Sequence, residues 1–145
     1  MDSPVPQDKG SLFQVVAANP AAGAEWAYQL PVNYRYQLQS AYYRFTSDAT
    51  AANRNMGISV YTLAQMHFHT GFRNWQLASL TKDYCLFPGA FDFLAAADAL
   101  QISSIPSDFM LRGFDILQSE TLNRQATDQY TNIILDFLRW PERSV

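Results

Sequence analysis

Asp128-Gln-Tyr-Thr-Asn-Ile-Ile-Leu-Asp-Phe-Leu-Arg-Trp140, closed by Pro141, is the stretch that decides the fold. Ile133, Leu135 and Phe137 fall on one face of a period-2 strand, with Asn132, Ile134, Asp136 and Leu138 on the other. Apolar residues on both faces mark a central strand rather than an edge. Because this strand comes last in the chain, earlier strands must flank it on both sides.

Working back from it, the chain reads as a series of short strands punctuated by Gly, Pro, Asn and Asp. Residues 11–18 and 25–30 are the first two, the second alternating through Trp26, Tyr28 and Leu30 before Pro31. The short turn Pro31-Val32-Asn33 suits a hairpin into residues 34–46, the longest strand before the last. That strand changes phase: Tyr34, Tyr36 and Leu38 share one parity, then Ala41, Tyr43 and Phe45 the other, which calls for a bulge near Ser40 or a strand that bends from one packing surface to another. After a loop at 47–53, Met56, Ile58 and Val60 alternate again, and further strands are read at 66–72, 77–87, 99–105 and 110–117. A helical reading competes only in AFDFLAAADAL (90–100), taken as a loop with one or two helical turns. The expected fold is all-β, a jelly-roll or Greek-key β-sandwich of about 8–9 strands spanning 11–140. An extended arm (1–10) precedes it and a short tail (141–145) follows.

Composition sharpens this. Hydrophobic residues make up 48% of the 145, aromatics 14%, and charged residues only 16%, against roughly 25% in typical soluble domains. Ten Phe, eight Tyr and three Trp leave two readings open. Some rings lie at the surface as a permanent protein interface, or all lie along the protein's own strands. A net charge of −3 argues against a nucleic-acid partner. The first ten residues lack the apolar core of a signal peptide, and no apolar run approaches a membrane span. With Cys85 alone there is no internal disulfide, which fits a reducing cytoplasm.

Chemistry-bearing motifs are sparse. On a strand, His67-Phe-His69 would aim both imidazoles one way, as in the His-x-His of cupins. The following Glu and third His of such a site are missing, so no metal is expected. Cys85 sits among Tyr84, Leu86 and Phe87, an ordinary buried thiol. Asp92, Asp98, Asp108, Asp115 and Asp128 are scattered where Asp forms solvated turns, although two could meet across a cleft as in a glycosidase. Neither enzymatic activity nor a cofactor is expected. Exposed Trp and Tyr keep a lectin-like role open.

Several segments, in order, resemble small structural proteins from the head and tail modules of tailed bacteriophages. They are Val16-Ala-Ala-Asn-Pro-Ala-Ala-Gly-Ala-Glu-Trp26, Leu30-Pro31, Asp48-Ala-Thr-Ala-Ala-Asn-Arg54, Ala78-Ser-Leu-Thr-Lys-Asp-Tyr84 with Pro88-Gly-Ala90, and Asp128-Gln-Tyr-Thr-Asn-Ile133. The resemblance implies a β-sandwich virion protein without enzymatic activity, of the decoration or cement type. Such a protein assembles in the host bacterial cytoplasm and binds the major capsid protein on the head surface, as a homodimer or homotrimer. A tail, baseplate or head-fibre role, or a carbohydrate-binding host-attachment role, is the alternative. Val5 and Pro6 of the arm, with Trp26, Tyr28, Tyr42, Trp75 and Trp140, are the candidate partner contacts.

Overall fold

The computed structural model describes residues 9–90 and 100–142. Val5, Pro6, Asp92, Asp98 and nearly all of the helix-or-loop segment lie outside the described residues. Within them the chain is all-β, with ten strands and no helix. In chain order these are β1 (Ser11–Ala17), β2 (Ala27–Gln29), β3 (Tyr34–Thr46), β4 (Asn55–Thr62), β5 (Gln65–Gly71), β6 (Thr81–Pro88), β7 (Leu100–Ile105), β8 (Met110–Arg112), β9 (Ile116–Leu122) and β10 (Gln129–Pro141). They form two sheets packed face to face as a sandwich. One runs β1-β10-β3-β6-β7, with β8 beside the first half of β3; the other runs β2-β9-β4-β5.

The last strand is central, as its two apolar faces require. β10 pairs antiparallel with β1 on one side and β3 on the other, and Ile133, Leu135 and Phe137 are completely buried. The phase change in β3 is a bulge: Asp136 faces Ser40 while Phe137 faces Leu38, leaving Gln39 extra. One added residue reverses the side-chain alternation, so Tyr36 and Leu38 before it and Ala41, Tyr43 and Phe45 after it all point inward.

Two local expectations change. Residues 31–33 do not close a hairpin, because β2 pairs with β9 and β3 with β10. That turn carries the chain from one sheet to the other. The strand expected over 110–117 is two strands in different sheets, broken at Gly113 and Phe114. A Cβ on Gly113 would sit 2.8 Å from the Val32 Cα, so the crossing of these two turns requires glycine. These breaks bring the strand number to ten instead of eight or nine.

The aromatic excess goes mainly into the core. Tyr43 lies at its centre, stacked on Tyr84 at 5.5 Å and tilted against Trp26 at 5.6 Å, with Tyr130 edge-on at 5.5 Å. Phe72 closes the group against Tyr84 at 4.8 Å. Such ring pairs add about 0.5–1.5 kcal/mol each beyond their area burial. Of the two compositional readings, the rings along the protein's own strands account for most of the total. Among the described residues, Trp75, Phe87 and Phe114 are the large rings that stay exposed.

Candidate functional site

At one end of the sandwich a buried ionic cluster joins the loop before β4 to the loop before β10. Arg54 is fully buried and uses all five of its N–H groups. Nε and Nη2 grip the Asp128 carboxylate at 3.0 Å each, Nη2 also reaches Asp48 at 2.7 Å, and Nη1 donates to the Thr50 and Ala52 carbonyls. Asp128 in turn accepts from the backbone N–H groups of Asp48 and Gln125. Gly23 donates to the Asp128 carbonyl, and Ser79 to that of Asp48. The segments quoted above around Gly23, Asp48–Arg54, Ser79 and Asp128 therefore meet here. With every partner supplied by its own backbone or side chains, the cluster is an internal clasp. Asp128 and Asp115 are buried rather than solvated, and each ties turns together.

The clasp makes acid stability predictable. The Thr127 hydroxyl, opposed by partial burial and assisted by Thr50 and Arg54, lowers the Asp48 carboxyl to about 2. Asp83 is also lowered, chiefly by its hydrogen bond from Arg44. A carboxyl depressed in the folded state contributes stability that is complete above its unfolded value and is lost as pH falls through the folded one. Urea midpoints should therefore fall between about pH 4 and pH 2, and Asp48→Asn should flatten that fall.

The two histidines do not face one ion. In the β4–β5 pairing Val60 faces Phe68 and Tyr61 faces Met66, so His67 is the extra residue of a bulge. His69 instead lies on the outer face of the four-stranded sheet, with Nδ1 2.9 Å from Ser59 Oγ. It borders a groove of about 300 Å³ at Gly57, walled by Asn55, Glu120 and Leu122. Among the described residues, no group of three or more His, Cys, Asp or Glu side chains could hold a metal. Burial, then the Asp136 charge, pushes the Cys85 thiol up and away from the reactive thiolate.

The expected contact residues separate in the structure. Trp26 is 1% exposed and belongs to the core, so it offers no surface. Tyr28 is half-buried and packs against the same core. Trp140, also half-buried, carries the Arg35 guanidinium 5.8 Å from its ring centre. Trp75 is exposed in the turn before β6. Tyr42 lies on the outer face of the six-stranded sheet, its hydroxyl bonded to Asp83 at 2.9 Å.

Tyr42 belongs to a feature that sequence reading did not find. Strand register aligns Val16 with Ile134, Ile134 with Tyr42, Tyr42 with Cys85, and Cys85 with Ile102. These five form one apolar row across the outer face, from edge strand β1 to edge strand β7. Polar rows flank it: Gln14–Asp136–Ser40 on one side and Arg44–Asp83 on the other. Val16 is 73% exposed and, four residues earlier on the same strand, Leu12 is 83% exposed. Alternation within each strand could hint at such a face, but the row itself exists only once the strands are in register.

The fold and this surface define a class: a two-sheet β-sandwich with an apolar band across one outer face. No protein-family model, curated protein or solved structure matches the chain.

Proposed function

We propose that this chain is a non-enzymatic structural protein of a virion, a decoration or cement protein on the outside of an icosahedral phage head. It bridges junctions between major capsid protein subunits and acts as a homodimer or homotrimer. The observation that carries this reading is the apolar row Val16–Ile134–Tyr42–Cys85–Ile102. The strand ladder holds this face in place, and an apolar band with polar margins matches the anatomy of a protein interface. The ordered sequence resemblance supplies the phage assignment. Binding only the assembled lattice stabilises that lattice by mass action, with no chemistry required.

Cosedimentation with heads lacking this protein tests the proposal. The expected result is saturable binding at a copy number matching an icosahedral axis, with heads more resistant to heat. A few copies per particle would move the protein to the tail or portal vertex, and absence of binding would sink the capsid reading. Carbohydrate binding is the second reading. The groove at Gly57 favours it, because Asn55, His69 and Glu120 bring polar groups to a shallow depression beside Leu122. A glycan array with clear sugar binding would support it.

A further inference from the structure

Where the end of the β4–β5 hairpin faces β8, the two sheets part and leave a cleft of about 330 Å³. Among the described residues its apolar wall is Val60, Phe68, Phe109, Met110 and Leu111. The Phe68 and Phe109 rings meet with centroids 4.4 Å apart. His67 and Arg112 supply polar groups, and both are exposed.

Two independent features shape this cleft. The bulge at His67 breaks strand alternation, so the consecutive residues His67 and Phe68 both line it. Bulges re-aim side chains in this way next to binding sites. Asp115, 6% exposed, fixes the opposite side. Its Oδ2 accepts the Arg112 backbone N–H at 2.8 Å and its Oδ1 the Thr62 hydroxyl at 2.5 Å, tying the β8–β9 turn to the end of β4. The Asp115 carboxylate is thereby committed. The Arg112 guanidinium and the His67 imidazole make no hydrogen bond or ion pair within the described residues.

We propose that this cleft binds a small organic anion, a flat apolar ring bearing a carboxylate. The ring packs against Phe68 and Phe109, and the carboxylate takes the Arg112 fork, with a His67 ring N–H as a further donor. A planar guanidinium matches a carboxylate through two parallel hydrogen bonds. Among the described residues Arg112 is the one permanent cation lining the cleft and the Asp115 carboxylate lines it too, so a monoanion suits it better than a phosphate dianion. The volume lies at the lower end of small-molecule sites, which span about 300–1,000 Å³, so one ring with a short acidic arm fills it. This site is separate from the apolar row and does not depend on the virion reading.

The test is an amide-resolved NMR titration of the full chain with benzoate, phenylacetate and indole-3-acetate, with acetate and phenylacetamide as controls. Saturable shifts should be confined to Val60, Thr62, His67, Phe68 and Phe109–Arg112. Acetate lacks the ring and phenylacetamide lacks the charge, so each should bind about tenfold more weakly or less. Arg112→Gln should cost about tenfold as well, with the rest of the spectrum unchanged. His67→Ala provides a second variant, expected to weaken binding severalfold, should Arg112→Gln perturb the fold. The proposal is overturned if none of the three aryl carboxylates saturates by about 10 mM, if the shifts map elsewhere, or if a folded Arg112→Gln binds as tightly.

Discussion

Arg54→Ala is expected to lower the unfolding free energy by about 3–5 kcal/mol, the usual cost of removing one partner from a buried ion pair. The guanidinium holds Asp128 through two 3.0 Å contacts and Asp48 through one of 2.7 Å, and neither the Arg54 nor the Asp128 side chain touches solvent. Removing it strips two carboxylates of their counter-charge and leaves the Thr50 and Ala52 carbonyls without a donor. The backbone donors from Asp48 and Gln125 still serve Asp128, which keeps the loss within that range rather than above it. Arg54→Lys should recover only a small part, since one ammonium offers three donors in place of five and cannot fork across a carboxylate. For a domain with a total stability of about 5–15 kcal/mol the alanine variant would be marginal. Urea titration at neutral pH checks this through the midpoint. A loss below about 1 kcal/mol would mean that the desolvation of three charged groups already cancels their attraction.

That clasp also shows what the sequence reveals and what it hides. Period-2 alternation makes Ile133, Leu135 and Phe137 legible as one buried face, and it makes the β3 bulge legible, because inserting one residue inverts parity from Leu38 to Ala41. Both are local consequences of the pleat. Arg54 is not legible in this way. A charged residue after the small-residue loop Ala49-Thr-Ala-Ala-Asn53 reads as surface, and its burial depends on Asp128, 74 positions away. The turn at 31–33 fails for the same reason. A short Pro-containing connection looks like a hairpin whether its flanking strands pair with each other or, as here, with β9 and β10. Composition likewise counts aromatic rings without placing them, and Trp26 illustrates the point. It has the profile of an interface anchor, yet it packs on Tyr43 in the core. His67 needed the bulge to turn it into the cleft, and nothing in His-Phe-His announces that bulge.

Particle binding should fall by about a hundredfold or more in the double variant Val16→Lys and Ile102→Lys, with folding little changed. The two positions end the apolar row, one on each edge strand of the larger sheet. Each lysine would place a charge where a partner excludes water, and an uncompensated charge buried in an interface costs about 2–5 kcal/mol. Two such positions exceed the roughly 2.7 kcal/mol that a hundredfold loss represents. In the free protein both lysines can reach solvent from an edge strand, where Lys is well tolerated. Surface changes of this kind shift stability by about 0.5 kcal/mol or less each, a few degrees at most in Tm for a chain of this size. The matched control is Gln29→Lys with Gln118→Lys on the outer face of the smaller sheet, paired across β2 and β9 near Gln29–Ile116 and Ala27–Gln118. Copies bound per head, measured against protein concentration, separate the outcomes. Loss in the row variant with binding retained in the control assigns the row as the capsid-facing surface. The reverse pattern would transfer the contact to the smaller sheet, because a thin sandwich presents only two broad faces. Equal loss in both variants with Tm intact would mean that the particle contacts the ends of the sandwich. Among the described residues, Leu63, Trp75, Leu77 and Phe114 are large exposed apolar side chains in its loops, and they would then be the next positions to charge.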